Sequence, residues 1–139
     1  MKNLSWLSVS GVLGFFTVVL GAFGAHALKP FLDGYGRDIY HTAVQYQAWH
    51  TLAILGTSIT LFVISKLKKS PSFSDTFSEV GINWLRRANI AWLIGILIFS
   101  GSLYTLALSG VRTFGALTPI GGVSFMLGWI FFAVAGLKL

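Results

Sequence analysis

Long apolar stretches dominate the chain and occur four times, with polar residues between them. Lys29 and Pro30 end the first stretch, Lys66 ends the second, and Arg86 and Arg87 precede the third. A bilayer core about 30 Å thick is crossed by a helix of roughly 20 apolar residues. The pattern therefore predicts four transmembrane helices. They cover about residues 4–28, 42–65, 88–108 and 118–137.

Composition narrows the class of protein further. Of the 139 residues, 55% are hydrophobic and only 10% are charged, and the mean hydropathy is +0.77. A water-soluble domain carries about 25% charged residues, so a soluble enzyme and a disordered chain are excluded. The absence of cysteine excludes a disulfide scaffold. We expect an all-α membrane protein, an antiparallel four-helix bundle that forms one domain over residues 1–139.

The N-terminal apolar stretch also has features of a signal peptide. Lys2 precedes it, and Ala25-His26-Ala27 imitates a cleavage site with small residues on either side. Signal peptides, however, have apolar cores of about 7–15 residues, and this stretch is longer. A retained helix is the favoured interpretation.

Positive charges predict the orientation. Seven of the ten Lys and Arg residues fall on the side that holds both termini and the 66–87 loop. Because short cytoplasmic loops are enriched in Lys and Arg, we expect both termini in the cytoplasm. The net charge of +6 follows from the same rule, and without a basic stripe and interleaved aromatic residues it does not indicate a nucleic-acid partner.

Cap residues suggest how two segments begin. Thr76 and Glu79 have the spacing of a capping box, and apolar residues follow at helical intervals. This predicts a short amphipathic helix at the cytoplasmic interface. Thr118 is a candidate N-cap for the fourth helix, with Pro119 at its first position. Asp33 to Gly36 is predicted to form the turn between the first two helices.

Small residues form stripes on the first and fourth helices. In lipid, helices associate through close backbone contact, which small side chains permit. These stripes are therefore predicted helix-contact faces, with packing favoured over a substrate path. Their members are Gly11, Gly14, Gly21, Gly121, Ser124 and Gly128.

Polar residues inside the spans suggest a site, because polar groups at membrane depth are costly unless they are partnered. His50 lies eight residues inside the second span, and Ser100 lies level with it in the third. We predict that His50 hydrogen-bonds to Ser100, Ser102 or Tyr104. The outward-facing half of the bundle should then hold a polar pocket. Its candidate residues are His26, Gln45, Tyr46, Gln47, His50, Ser100, Ser102 and Tyr104.

The chemistry of this pocket is limited. His26 and His50 lie at different depths, which disfavours bis-histidine haem, and too few ligands are present for zinc. A serine and His50 supply two members of a hydrolytic triad, but no acidic third member lies in the membrane. We therefore predict no catalytic residue, metal or cofactor. Either a ligand-binding pocket or a structural hydrogen-bond cluster fits these residues.

Four motifs follow one another along the chain. They are Gly21-Ala-Phe-Gly-Ala-His26 with Ala27-Leu28, Tyr46-Gln47 with His50, Phe99-Ser-Gly-Ser-Leu-Tyr104, and Thr118-Pro-Ile-Gly-Gly122 with Gly128-Trp129. Together they closely resemble the DUF423 family, also called the UPF0382 small inner-membrane proteins, to which the mitochondrial transmembrane protein 256 group is related. The resemblance covers essentially the whole chain and departs from the family in the longer serine-rich loop between Leu67 and Trp84. It implies a four-helix bacterial inner-membrane protein without an established activity.

Three functions remain open from the sequence. The first is a non-enzymatic accessory or binding protein whose outward-facing polar pocket holds a lipid headgroup or a small ligand, with membrane lipids, other membrane proteins or further copies of itself as partners. The second is a small oligomeric transporter or channel. The third, least favoured, is a membrane redox subunit or enzyme that uses His50.

Overall fold

The computed structural model describes residues 5–139, and Lys2 therefore lies outside the described residues. Four helices in it are long and apolar enough to cross a membrane, and the described residues form no strand. The predicted all-α fold class is confirmed. The helices are α1 (Trp6–Ala25), α2 (Gly34–Leu67), α3 (Glu79–Ser109) and α4 (Thr118–Lys138).

Neighbouring helices in the chain pack antiparallel. We call the end of the bundle with Ser5, Leu67, Glu79 and Lys138 the terminal end, and the end with Ala25, Gly34, Ser109 and Thr118 the distal end. α1 packs on α2, α2 on α3, and α3 on α4. A central apolar core joins α2, α3 and α4, and a second apolar cluster lies toward the terminal end. The central core consists of Ile54, Ala88, Trp92, Ile96 and Phe125.

α2 begins eight residues before the predicted span. Asp33 caps its first turn, where the side-chain carboxylate accepts a hydrogen bond from Gly36 N at 2.5 Å. The predicted turn at Asp33 to Gly36 is therefore the start of a helix. Hydropathy located only the part of α2 within the bilayer, whereas an N-cap sets where a helix begins in water.

The loop between α2 and α3 does not form the predicted separate interfacial helix. Within it the structure has a single 3₁₀ turn, Pro71–Phe73. Ser78, not Thr76, caps the next helix by accepting a hydrogen bond from Val80 N at 3.2 Å. The amphipathic residues after Glu79 are the first turns of α3, because nothing interrupts the helix before the bilayer begins.

Two local features shape the distal half. α3 contains a π-helical turn, Ile96–Ser100, between two α-helical parts. A 3₁₀ segment, Arg112–Leu117, leads directly into α4. Thr118 is therefore the first residue of α4 and not its N-cap, and its hydroxyl lies 3.0 Å from the hydroxyl of Ser102 on α3.

The small residues of α4 lie against α3. A Cβ atom at Gly121 would overlap the backbone of Phe99, and one at Gly128 would overlap the indole of Trp92. Ser124 Oγ donates a hydrogen bond to the carbonyl of Ala91 at 2.7 Å. α3 and α4 therefore approach as closely as these small residues allow.

The stripe on α1 is in looser contact. A Cβ at Gly21 would lie 3.5 Å from Val44 of α2, and one at Gly14 would lie 3.9 Å from Thr51. Gly11 is exposed, and a Cβ there would have no atom within 4 Å. The predicted contact at Gly11 is therefore wrong, since α1 meets α2 along a narrower face than the stripe suggested.

Candidate functional site

Gln47 is the centre of the polar residues inside the bundle. Its side chain is buried, and its amide nitrogen donates to the Thr17 hydroxyl at 3.0 Å and to the Leu13 carbonyl at 3.4 Å. Its amide oxygen accepts a hydrogen bond from the Tyr104 hydroxyl at 3.0 Å. One side chain of α2 therefore links α1 and α3 at membrane depth.

Two further bonds extend this network toward the distal end. The hydroxyl of Tyr40, on α2, donates to the Leu20 carbonyl of α1 at 2.9 Å. Ser100, on α3, donates to the Ala43 carbonyl of α2 at 2.9 Å and is fully buried. The rings of Tyr40 and Tyr104 pack with centroids 5.0 Å apart. The network thus links α1, α2 and α3 through hydrogen bonds.

His50 is buried as predicted, but the predicted bond to α3 is wrong. Trp129 Nε1 of α4 donates to His50 Nε2 at 3.2 Å, and His50 Nδ1 lies 2.8 Å from the Tyr46 carbonyl. An indole N–H can only donate and a carbonyl can only accept. These partners therefore define a neutral ring with its proton on Nδ1. The ring also stacks on Phe125, with centroids 3.6 Å apart.

The eight predicted pocket residues do not line one open pocket. His26 and Gln45 are exposed and lie outside the network. Ser102 joins α3 to α4 through Thr118, and the Tyr46 ring stacks on Phe99 at 4.6 Å. Gln47 and Tyr104 bond to each other, and the other hydrogen bonds of these residues go to side chains outside the predicted set or to backbone carbonyls.

A cavity does lie beside the network, between the distal ends of α1 and α2. Its volume is about 410 Å³. We call it the distal cavity. It is bounded by the small residues of α1 on one side and by polar and charged residues on the other. Its lining residues include Gly21, Ala25, Lys29, Arg37, Asp38 and His41.

The charges of the distal cavity do not cancel. Lys29 and Arg37 line it together with one carboxylate, Asp38, and neither cation lies within 4 Å of an acidic oxygen of the described residues. In residues 5–139 the one ion pair is Lys68 with Glu79. Sequence reasoning assigned these cations only to loops, because Arg37 follows Gly24 by 13 residues and only the packing of α2 on α1 brings the two together.

A second buried polar group lies toward the terminal end and was missed by the sequence analysis. Asn89 of α3 is fully buried, and its side-chain oxygen accepts a hydrogen bond from Thr57 of α2. Its amide nitrogen has no hydrogen-bond partner among the described residues, and the same is true of Thr51 Oγ1 and Trp92 Nε1. The rule that polar residues in a span are notable would have identified Asn89.

The described residues contain no cluster of three or more His, Asp or Glu side chains that could hold a metal ion. His50 cannot act as a ligand without giving up its bonds to Tyr46 or Trp129. The arrangement thus offers cations at the rim of a cavity and a satisfied polar network inside the bundle.

Comparison with known proteins assigns the family. Residues 20–122 match the family model described as "Protein of unknown function (DUF423)". A UPF0382 membrane protein of Haemophilus influenzae is 36% identical over 99% of this chain and 97% of its own length. The UPF0382 inner membrane protein YgdD of Escherichia coli K12 is 36% identical over 100% of this chain and 94% of its own length.

A third bacterium has a similar protein. The UPF0382 membrane protein YwdK of Bacillus subtilis is 35% identical over 96% of both chains. No solved structure matches. With a family model covering most of the chain and relatives aligned over their full length, the chain belongs to the DUF423, or UPF0382, family of multi-pass membrane proteins, whose function is unknown.

Proposed function

We propose that this protein is a non-enzymatic accessory protein of the membrane that binds the phosphate group of an anionic amphiphile in the distal cavity. The observation that carries the proposal is the pair of cations, Lys29 and Arg37, at the rim of a 410 Å³ cavity, where neither has an ion-pair partner within residues 5–139. The size lies within the range of pockets that hold small ligands, about 300–1,000 Å³.

The chemistry of the rim fits phosphate. A guanidinium group offers several donors in a fixed plane, and an ammonium group adds a mobile positive charge. Asp38 cancels only one of the two positive charges. Gly21 and Ala25 of α1 and Val44 of α2 add apolar lining, so an alkyl chain can follow the phosphate into the same cavity.

The expected orientation places this cavity in the outer leaflet. It rests on the excess of Lys and Arg at the terminal end, because positively charged loops remain in the cytoplasm. A phospholipid whose headgroup lies at the outer surface could enter from the side, between α1 and α2, without crossing the bilayer.

The test is native mass spectrometry of the protein extracted gently from its own membrane. We expect a retained phosphate-bearing lipid, which is lost when Lys29 and Arg37 are both replaced by Gln. Arg112→Gln is the control, because it removes positive charge at the same end but outside this cavity. Ala25→Phe fills the cavity without a change of charge and should also displace the lipid.

Two results would contradict the proposal. Retention of the lipid by both the double Gln variant and Ala25→Phe would place it elsewhere on the protein. Equal loss of the lipid from the Arg112→Gln variant would show that its retention depends only on general surface charge. Glycerol phosphate added in excess distinguishes a soluble phosphate ligand, which it would displace, from a lipid held also by its chains.

A further inference from the structure

A larger cavity lies at the opposite end of α1. It has a volume of about 660 Å³ and is enclosed by the start of α1, the last turns of α2 and the first turns of α3. We call it the terminal cavity. The residues that carry the argument are Trp6, Ser58, Leu61, Phe62, Ser65 and Arg86.

Arg86 is the one charged side chain among the described residues that line the terminal cavity. Its guanidinium donates a single hydrogen bond, to the neutral side-chain oxygen of Asn83 at 3.2 Å. The nearby acid, Glu79, is held by Lys68 at 2.5 Å. No carboxylate in residues 5–139 lies within 4 Å of Arg86, so its guanidinium forms no direct ion pair in this part of the chain.

The neighbouring Arg87 provides the contrast. Its guanidinium lies over the ring of Trp84, 4.6 Å from the centroid, and it does not line the cavity. Adjacent residues on a helix point about 100° apart. The two arginines therefore carry the same charge at the same depth, but only Arg86 faces the cavity.

The two serines add a second kind of contact. Ser58 donates its proton to the Ile54 carbonyl, and Ser65 donates to the Phe62 carbonyl at 2.7 Å. A hydroxyl that has donated its proton still has lone pairs to accept a hydrogen bond. Both serines therefore present acceptors to the cavity, which suit a hydroxyl-bearing headgroup, whereas Arg86 supplies donors for an anion.

The rest of the lining is apolar. Leu61, Phe62 and Leu93 flank the cavity, and Trp6 lies at its edge. Indole rings are typical of the boundary between headgroups and chains. Along α2, Ser65 lies nearest the terminal end, Phe62 and Leu61 follow, and Ser58 lies deepest. Arg86 and Ser65 therefore lie toward the membrane surface, and Leu61 and Phe62 offer an apolar wall for an acyl chain beyond them.

We propose that the terminal cavity is a second binding site, specific for an anionic phospholipid with a hydroxylated headgroup such as phosphoglycerol. Arg86 binds the phosphate, Ser65 accepts from the glycerol hydroxyls, and the apolar wall holds the first part of a chain. This site shares no described lining residue with the distal cavity and does not depend on it.

The test is lipid binding to the full chain in phosphatidylcholine nanodiscs that contain increasing phosphatidylglycerol. Brominated phosphatidylglycerol quenches nearby tryptophan fluorescence, and Trp6 serves as the reporter, with Trp6→Phe identifying its share of the signal. We expect Arg86→Gln to weaken binding by about tenfold, since it removes charge-assisted hydrogen bonds. Arg87→Gln, with the same loss of charge, should change it less than about twofold.

A second variant tests the headgroup. Ser65→Ala should weaken binding of phosphatidylglycerol but leave binding of brominated phosphatidic acid unchanged, because phosphatidic acid has no headgroup hydroxyl to donate. Equal weakening by the two arginine variants would overturn the site in favour of general attraction to an anionic surface. Equal quenching by brominated phosphatidylcholine, or displacement by free glycerol phosphate, would overturn the proposal of an anionic lipid.

Discussion

Gly121 tests how closely α4 approaches α3. A Cβ atom at this position would lie 2.7 Å from the Cα atom of Phe99, whereas carbon atoms in contact lie about 3.5–4.0 Å apart. A backbone atom cannot rotate away as a side chain can, so the helices would have to separate by roughly 1 Å. Overpacking of this kind costs about 1–3 kcal/mol.

The next residue supplies a matched control. A Cβ at Gly122 would lie 3.9 Å from the ring of Phe99, which is an ordinary contact. Replacing either glycine by alanine raises helix propensity by about 1 kcal/mol, so the difference between the two variants isolates the overlap. We expect Gly121→Ala to be about 1–3 kcal/mol less stable than Gly122→Ala.

The assay is unfolding of each variant in mixed micelles by increasing amounts of a denaturing detergent. Tryptophan fluorescence reports on the α3–α4 contact, because Trp92 and Trp129 pack across it with ring centroids 4.9 Å apart. Equal free energies of unfolding for the two variants would refute the close approach at Gly121. A Gly122→Ala variant that is the less stable of the two would mean that α4 is rotated relative to the arrangement described.

Three further predictions concern orientation and the polar network. The sequence has no native cysteine, so a cysteine in place of the exposed Phe31 should react with an impermeant reagent added outside intact cells, and one in place of Ser70 should not. Labelling of the cysteine at position 70 would show that the protein has the opposite topology. Gln47→Leu should lower the free energy of unfolding by about 1 kcal/mol, since interhelical hydrogen bonds average about 0.6 kcal/mol each. Gln45→Leu, at an exposed position, should not lower it, and equal stability of the two variants would contradict the network. His50→Leu should shift the tryptophan emission, because it removes the acceptor of an indole N–H, and an unchanged spectrum would contradict that bond.

The transmembrane helices could be predicted because the lipid bilayer permits few backbone conformations. Every backbone group in the bilayer must find a partner within its own segment, so an apolar stretch of sufficient length becomes a helix. The ends of α2 and α3 were not predictable in the same way. They extend into water, where the caps at Asp33 and Ser78 set the first residue.

The depth of a residue along its helix does not determine its side-chain partners. The helical rise per residue placed polar residues such as Gln47, Ser100 and Tyr104 in one region of the bundle, but it carries no information about which neighbour each side chain faces. The π-helical turn at Ile96–Ser100 adds a residue to one turn and changes the rotation of all that follow on α3. The partner of His50 is Trp129 of α4, and not a hydroxyl of α3.

The same distribution of polar groups bears on which functions the fold favours. Passage of a solute through the bundle would require polar groups free to exchange partners along its axis, but Gln47, Ser100 and His50 are committed to bonds between helices or to backbone carbonyls. Arg37 and Arg86, by contrast, line cavities at opposite ends of the bundle and form no ion pair within residues 5–139. This distribution supports the proposed recognition of anionic headgroups over transport through the centre, because charge is available to a ligand at the ends of the bundle and the polar groups at its centre are already bonded.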